Sequence, residues 1–243
     1  LRTQRGLVVG WAVGLAVLAA IYGAVVPEVP EMLESSPELA EAFGLPASAG
    51  DALIDAFLEY VNLTLGVTGA VFGVASVLRL RQEEETGRAE ALLATGLSRT
   101  RWLTGSLAVA LLGLAVVATA TAVGMVLGYV PVAADSSRNR ELLLGPLAQL
   151  PAMVLVAAIA FLLVAWVPRW SPVAWAVLAW VFVDAFLGET LDLPGAVRSL
   201  SPYHHLPGYP ADQWAAGPGL ALLAAALGCV VVGAAGFRRR DVG

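Results

Sequence analysis

The sequence contains no lysine: all 14 basic residues among its 243 are arginine. That absence excludes a Walker A loop, which needs its lysine on the β- and γ-phosphates, and a Schiff-base lysine. The chain is therefore not itself a P-loop ATPase. A single cysteine, Cys229, lies in an apolar run, so no disulfide framework and no paired-cysteine metal or redox motif is available. The two histidines, His204 and His205, are adjacent, and only Asp192 and Asp212 lie near enough in sequence to help them hold a metal; no metal site is expected. Charge is scarce too, at 14% of residues against about 25% in soluble domains, while 58% are hydrophobic and mean hydropathy is +0.78. These numbers exclude an ordinary soluble globule, and with a net charge of −5 no nucleic-acid partner is expected.

What is present is long apolar runs. A bilayer core about 30 Å thick needs about 20 apolar residues in a helix. Six stretches qualify, at 7–26, 58–78, 103–130, 147–167, 172–188 and 218–237, so the expectation is an all-α polytopic membrane protein forming one domain over residues 1–243. The first stretch is of span length, lacks a small-residue cleavage site and runs into an acidic segment, unlike a signal peptide.

Arginine placement orients the spans, because positively charged loops stay cytoplasmic. With the N-terminus inside, 11 arginines and 5 acids fall in cytoplasmic segments (+6), while 3 arginines and 13 acids fall outside (−10). Asp184, within the fifth stretch, completes the total. Both termini are thus expected in the cytoplasm, with Trp166, Trp170 and Trp175 as an interfacial belt at an inner hairpin. The segment 27–50 reads as a short external helix. The segment 189–217, punctuated by proline and glycine, reads as an outer loop or as short re-entrant helices between spans five and six.

The cytoplasmic connection RLRQEEETGRAEALLATGLSRTRW, residues 79–102, carries the most information. Glu83, Glu84 and Glu85 are predicted in the first turn of a new helix, where acids complement the positive end of the macrodipole. Ala89, Leu92 and Leu93 give that helix an apolar stripe, Gly96 stops it, and Ser98 or Thr100 caps the next one, with Arg99 and Arg101 at the interface. The result would be a short amphipathic helix between spans two and three. Two readings stand: a solvated, charge-compensated loop, or a docking element for a cytoplasmic partner.

Within this loop Glu84, Glu85, Gly87, Arg88, Glu90, Leu92, Leu93, Ala94, Ser98, Arg99, Arg101 and Trp102 resemble the corresponding stretch of type-2 ABC exporter permeases, in particular the bacterial polyketide-antibiotic exporter group. Leu200-Ser201-Pro202-Tyr203-His204, the tail Gly236-Phe237-Arg238-Arg239-Arg240-Asp241 and the opening Arg2, Arg5, Gly6, Gly10 and Trp11 extend the resemblance over nearly the whole chain. The group often has Phe-Thr-His where this chain has Tyr203-His204-His205, so no role passes to His205. The resemblance implies the C-terminal half of a multi-pass permease in a bacterial plasma membrane, exporting a hydrophobic or amphipathic compound such as an antibiotic, a drug-like molecule or a lipid. A Leu rather than a Met at position 1 fits a piece of a longer chain. It further implies no cofactor on this chain, ATP and Mg²⁺ being used by a separate ABC ATPase subunit, and a second six-span half, fused or separate. Glu83, Glu84, Glu85, Gly87, Arg88, Glu90, Leu92, Leu93, Ser98, Arg99 and Arg101 would then couple the ATPase to the spans.

Inside the spans, Asn62, Thr64, Thr68, Thr119, Thr121 and Asp184 are candidates for lining a pathway; the other reading of the hydroxyls is interhelical packing. Gly10/Gly14, Gly69/Gly73 and Gly124/Gly128 form G-x-x-x-G pairs that permit close helix approach. Two alternatives to an exporter remain. One is a membrane scaffold or sensor without an ATPase. The other is a CAAX-type intramembrane protease, whose Glu-Glu-x-x-x-Arg motif Glu83, Glu84 and Arg88 happen to match; it would need histidines at the depth of those glutamates, and His204 and His205 are expected on the opposite side.

Overall fold

The computed structural model describes residues 2–35, 51–85, 99–134, 136–212 and 215–238. Its elements are α1 (Arg2–Val25), α2 (Val29–Ser35), α3 (Asp51–Glu85), α4 (Arg99–Ala133), α5 (Asn139–Ala148), α6 (Leu150–Trp166), α7 (Val173–Leu187), α8 (Gly195–Arg198) and α9 (Ala216–Arg238), with 3-10 turns at Val26–Glu28, Pro168–Trp170 and Pro202–His205. The long helices are apolar on every side. Leu15 and Ala19 of α1 are buried, yet Val9, Val13, Val17 and Ile21, spaced four residues apart on the same helix, stand exposed. A helix apolar all round suits lipid on one face and protein on the other.

Among the described residues, five stretches are long and apolar enough to cross a membrane: Arg5–Met32, Asp51–Gln82, Trp102–Ala133, Asn139–Trp166 and Ala216–Phe237. The sixth expected span, 172–188, is α7, with only 15 residues. At 1.5 Å per residue it rises about 22 Å, short of a full core. Pro172 sets its start, and the amide of Gly188 closes its end on the Asp184 carbonyl at 3.1 Å. The expected span 147–167 is part of a longer broken helix: Pro151 has no N–H to give to Leu147, the chain leaves the helix at Gln149, and Met153 N re-enters it on the Gln149 carbonyl at 3.1 Å.

The loop after span two also differs from expectation. Glu83, Glu84 and Glu85 do not open a new helix; they form the last turn of α3. Nothing between Leu80 and Glu85 breaks a helix, and Arg, Gln and Glu all favour one, so propensity carries α3 onward although the acids meet the unfavourable negative end of its dipole. Arg99 and Arg101 lie in the first turn of α4. Gly87, Arg88, Glu90, Leu92, Leu93 and Ser98 lie outside the described residues, as do 36–50 of the expected external helix, whose described part is α2.

Close contacts fix the helix directions. Gly66, Gly69 and Gly73 of α3 meet Gln149, Met153 and Ala157, so α3 runs parallel to α6; Gly219, Gly233 and Gly236 of α9 meet Pro151, Phe161 and Trp166, so α9 does too. In the pair α1–α4, Gly113, Gly124 and Gly128 meet Val8, Ala16 and Ala20, again parallel. This pair runs opposite to α3, because Arg138, just beyond α4, reaches Asp51 and Asp55 at the head of α3. The starts of α1 and α4 therefore share an end with the finish of α3, α6 and α9. That end carries Arg5, Arg79, Arg81 and Arg169; the other carries Asp51, Asp55, Glu59, Glu141, Glu189 and Asp212.

Arg138 joins the acidic-end helices. Its side chain is only 15% exposed and reaches Asp51 and Glu141 at 3.0 Å each as well as Asp55. Burial alone would lower its pKa, but hydrogen bonds to Asp55 and Asp51 hold it above the ordinary arginine value. Arg138→Gln leaves three carboxylates facing one another. It should lower stability by about 1–2 kcal/mol in thermal unfolding, with much of the loss recovered in high salt.

Candidate functional site

The acidic end holds a cavity of about 520 Å³, within the range of small-molecule pockets. Its wall begins with α3, where Glu59 and Tyr60 sit one turn above Leu63. The break at Gln149 contributes as well, because the residue that leaves the helix before Pro151 sets its Cβ and Cγ beside Gly66 of α3 and lines the cavity. The end of α7 supplies Asp184 and Phe186, and the segment after it supplies Arg198 and Tyr203.

That segment, expected as a loop or a re-entrant piece, enters the protein. Ser201, Pro202 and Tyr203 are buried, and the Tyr203 hydroxyl donates to the Gly66 carbonyl at 2.8 Å. Gly66 lies 15 residues along α3 from Asp51, about 22 Å down its axis. A side chain at Gly66 would strike Gln149 Cβ and crowd the Tyr203 ring at 3.1 Å, so only glycine lets α3, the α6 break and this segment meet at one level. Burial pushes the Tyr203 phenol far above its ordinary pKa, which keeps it a neutral donor. Burial, then the charge of Glu141, raises Tyr209 as well. Asn62 Nδ2 donates to the Tyr209 carbonyl at 3.2 Å, and His205, with Nε2 2.8 Å from the Ser199 carbonyl, must be the donor there.

Electrostatically the cavity is negative. Asp184 is 3% exposed, and its Oδ1 lies 3.4 Å from Arg198 Nε, but neither atom has a hydrogen-bond partner. Arg198 also approaches the exposed Glu189 at 3.7 Å. Glu59 stands at the rim, and among the described residues no cation lies within 4.0 Å of it; its charged neighbours are Asp212 and Glu189. The buried Gln149 Oε1 also lacks a partner. Tyr60 and Phe186 pack edge to face at 5.8 Å, and Phe182 continues the row at 4.8 Å from Phe186.

Of the six residues proposed for a pathway, Asp184 alone lines this cavity. The hydroxyls of Thr64, Thr68, Thr119 and Thr121 each donate to the carbonyl four residues earlier in their own helix, at 2.7–2.8 Å. Asn62 braces the segment after α7 through the Tyr209 carbonyl. Sequence reasoning missed Glu59 as a site residue, together with Gln149 and Arg198. The one available signal was Gln149, the sole amide in the apolar run 147–167 and two residues before a proline. The histidines fall near the cavity at the acidic end, whereas Glu84 ends α3 at the basic end, about 37 Å from Glu59 along the axis. Among the described residues, the glutamates and histidines that a CAAX-type protease would need together therefore lie at opposite ends.

Apolar helices of alternating direction, long enough to cross a bilayer and closed at one end by a polar segment folded in among them, have the build of a multi-pass membrane protein. The chain belongs to the family of the C-terminal domain of the multidrug efflux system permease Rv1217c, which matches residues 1–238. The multidrug efflux system permease protein Rv1217c of Mycobacterium tuberculosis (strain ATCC 25618 / H37Rv) is 36% identical to it over 242 residues, covering 99% of this chain and 44% of that protein. The chain thus spans less than half the length of this curated relative, and matches the C-terminal half of a permease as its sequence motifs implied.

Proposed function

We propose that the chain is the C-terminal membrane half of an ATP-driven exporter, with its basic end in the cytoplasm and its acidic end opening outward through the bacterial plasma membrane. The observation that carries this reading is the polarity of the bundle: helix ends rich in arginine gather at one pole and a polar cavity opens at the other, in a chain of the efflux-permease family. ATP is hydrolysed on a separate ABC ATPase that docks on the segment around 83–101 and moves α3 and α4, the two helices flanking it. The cargo is hydrophobic or amphipathic, as antibiotics of the polyketide type are. A second half completes the pathway. Support for it comes from α1, where Gly6, Gly10 and Gly14 meet no neighbouring atom within 4 Å and with Trp11 line an open apolar groove of about 520 Å³.

The test is co-expression of the full permease with a candidate ABC ATPase from the same genome. The ATPase should co-purify, and exporter substrates should stimulate it. Glu84→Ala with Arg88→Ala should lower that stimulation about tenfold, a coupling loss of ordinary size, while leaving assembly of the helices intact. Unchanged stimulation in the double variant sinks the docking site; a permease that brings down no ATPase would be a scaffold or sensor instead.

A further inference from the structure

We propose that the cavity at the acidic end binds an amphipathic organic cation, with its charged group between Asp184 and Glu59 and its apolar body against Tyr60 and Phe186. This assignment rests on the exporter reading above and gives it a class of cargo. Three observations converge on it.

The first is unmet polarity. Buried polar atoms are nearly always hydrogen-bonded, yet Gln149 and Asp184, two residues of the cavity lining that are 5% and 3% exposed, each hold a buried oxygen, Oε1 and Oδ1, without a partner. Both are acceptors and call for a donor, and the one beside Asp184, Arg198 Nε at 3.4 Å, makes no hydrogen bond to it. The second is charge. Glu59, Asp184 and Glu189 face the cavity against Arg198 alone, and Asp212 adds a further negative neighbour to Glu59. Arg198 is already shared between Asp184 and Glu189 through an ion pair without a hydrogen bond, so it is a loosely held counter-ion that an arriving cation can displace. An anion would meet three carboxylates to reach one occupied guanidinium. A small metal ion fits poorly, since no three ligating side chains converge among the described residues. The third is the wall: Tyr60 and Phe186 line the cavity beside the carboxylates as an edge-to-face aromatic pair, and a ring face attracts an organic cation within about 6 Å.

The test uses the full permease in lipid nanodiscs, with tetraphenylphosphonium as probe and tetraphenylborate as the anion of the same shape. Tetraphenylphosphonium should bind saturably and tetraphenylborate should not compete. Glu59→Gln, at the exposed rim where folding is undisturbed, should weaken binding about fivefold, and Asp184→Asn about tenfold. Arg198→Gln removes the competing counter-ion and should tighten binding severalfold, a change of sign that general damage to the fold does not produce. Equal binding of the two probes, or affinity indifferent to both Glu59→Gln and Arg198→Gln, overturns the assignment. ATP-driven movement of a neutral apolar compound reports separately on the exporter reading: if it occurs while cation affinity ignores Glu59, only the cation site is lost; if no compound moves, the exporter reading itself fails.

Discussion

Gly128→Ala is expected to lower the stability of the chain by about 3 kcal/mol, and Gly128→Leu to prevent α1 from packing on α4 at all. A Cβ at Gly128 would overlap the Ala20 carbonyl oxygen, and one at Gly124 would overlap that of Ala16. Both obstacles are backbone, so no rotamer change relieves them. From the other side Gly23 meets the Met125 carbonyl in the same way, which locks the two helices along a full two turns. In lipid this closeness matters more than in water, because the surrounding tails are as apolar as the side chains and association depends on packing. The control is Gly14→Ala, where no atom lies within 4 Å; it should be neutral, or stabilising by up to about 1 kcal/mol through helix propensity. Thermal unfolding in detergent, followed by loss of the monodisperse peak on size exclusion, reads both. Equal behaviour of Gly128→Ala and Gly14→Ala would show that the α1–α4 seam is not glycine-determined.

That contrast marks what was legible in the sequence. Gly10/Gly14 and Gly124/Gly128 are the same motif in the same kind of apolar run, and only the neighbour distinguishes them: Ala16 and Ala20 stand under one pair, nothing under the other. Helices and the separation of charge between the poles were readable because they are properties of runs and counts. Where local rules compete, the reading failed. Acids at 83–85 resembled a helix start by their charge, but the absence of any breaker let α3 run through them. Threonines in a span resembled pathway linings, but an α-helix always offers a carbonyl four residues back, and four hydroxyls took it. The cavity was invisible for a different reason: Glu59, Gln149, Asp184 and Arg198 come from four separate segments, and the inward-folded stretch 199–209 closes them into one space.

Tyr203 is the bolt on that fold, and its removal should have the second large effect. Tyr203→Ala takes a fully buried ring out from between α3 and α6 and should cost about 4 kcal/mol. Tyr203→Phe keeps the ring and loses only the bond to Gly66, about 1 kcal/mol near neutral pH. The two variants separate packing from hydrogen bonding, and pH separates them further. Burial raises the pKa of the folded phenol well above its ordinary value of 10.0. Its contribution is therefore fully present below pH 10, and it is lost as pH rises beyond that, because the unfolded chain alone can release the proton. Stability of the parent should fall by up to about 1.4 kcal/mol per pH unit there, a limb absent from Tyr203→Phe, so the gap between parent and variant closes and then reverses. Tyr209, also raised, titrates in both proteins and cancels from the comparison. A gap that stays constant from pH 7 to about pH 11 would mean that the hydroxyl reaches water in the folded state. The consequence for transport is direct: with the bolt drawn, the segment that closes the cavity is no longer held against α3, its walls separate, and Tyr203→Ala should lose tetraphenylphosphonium binding even where the remaining helices stay assembled.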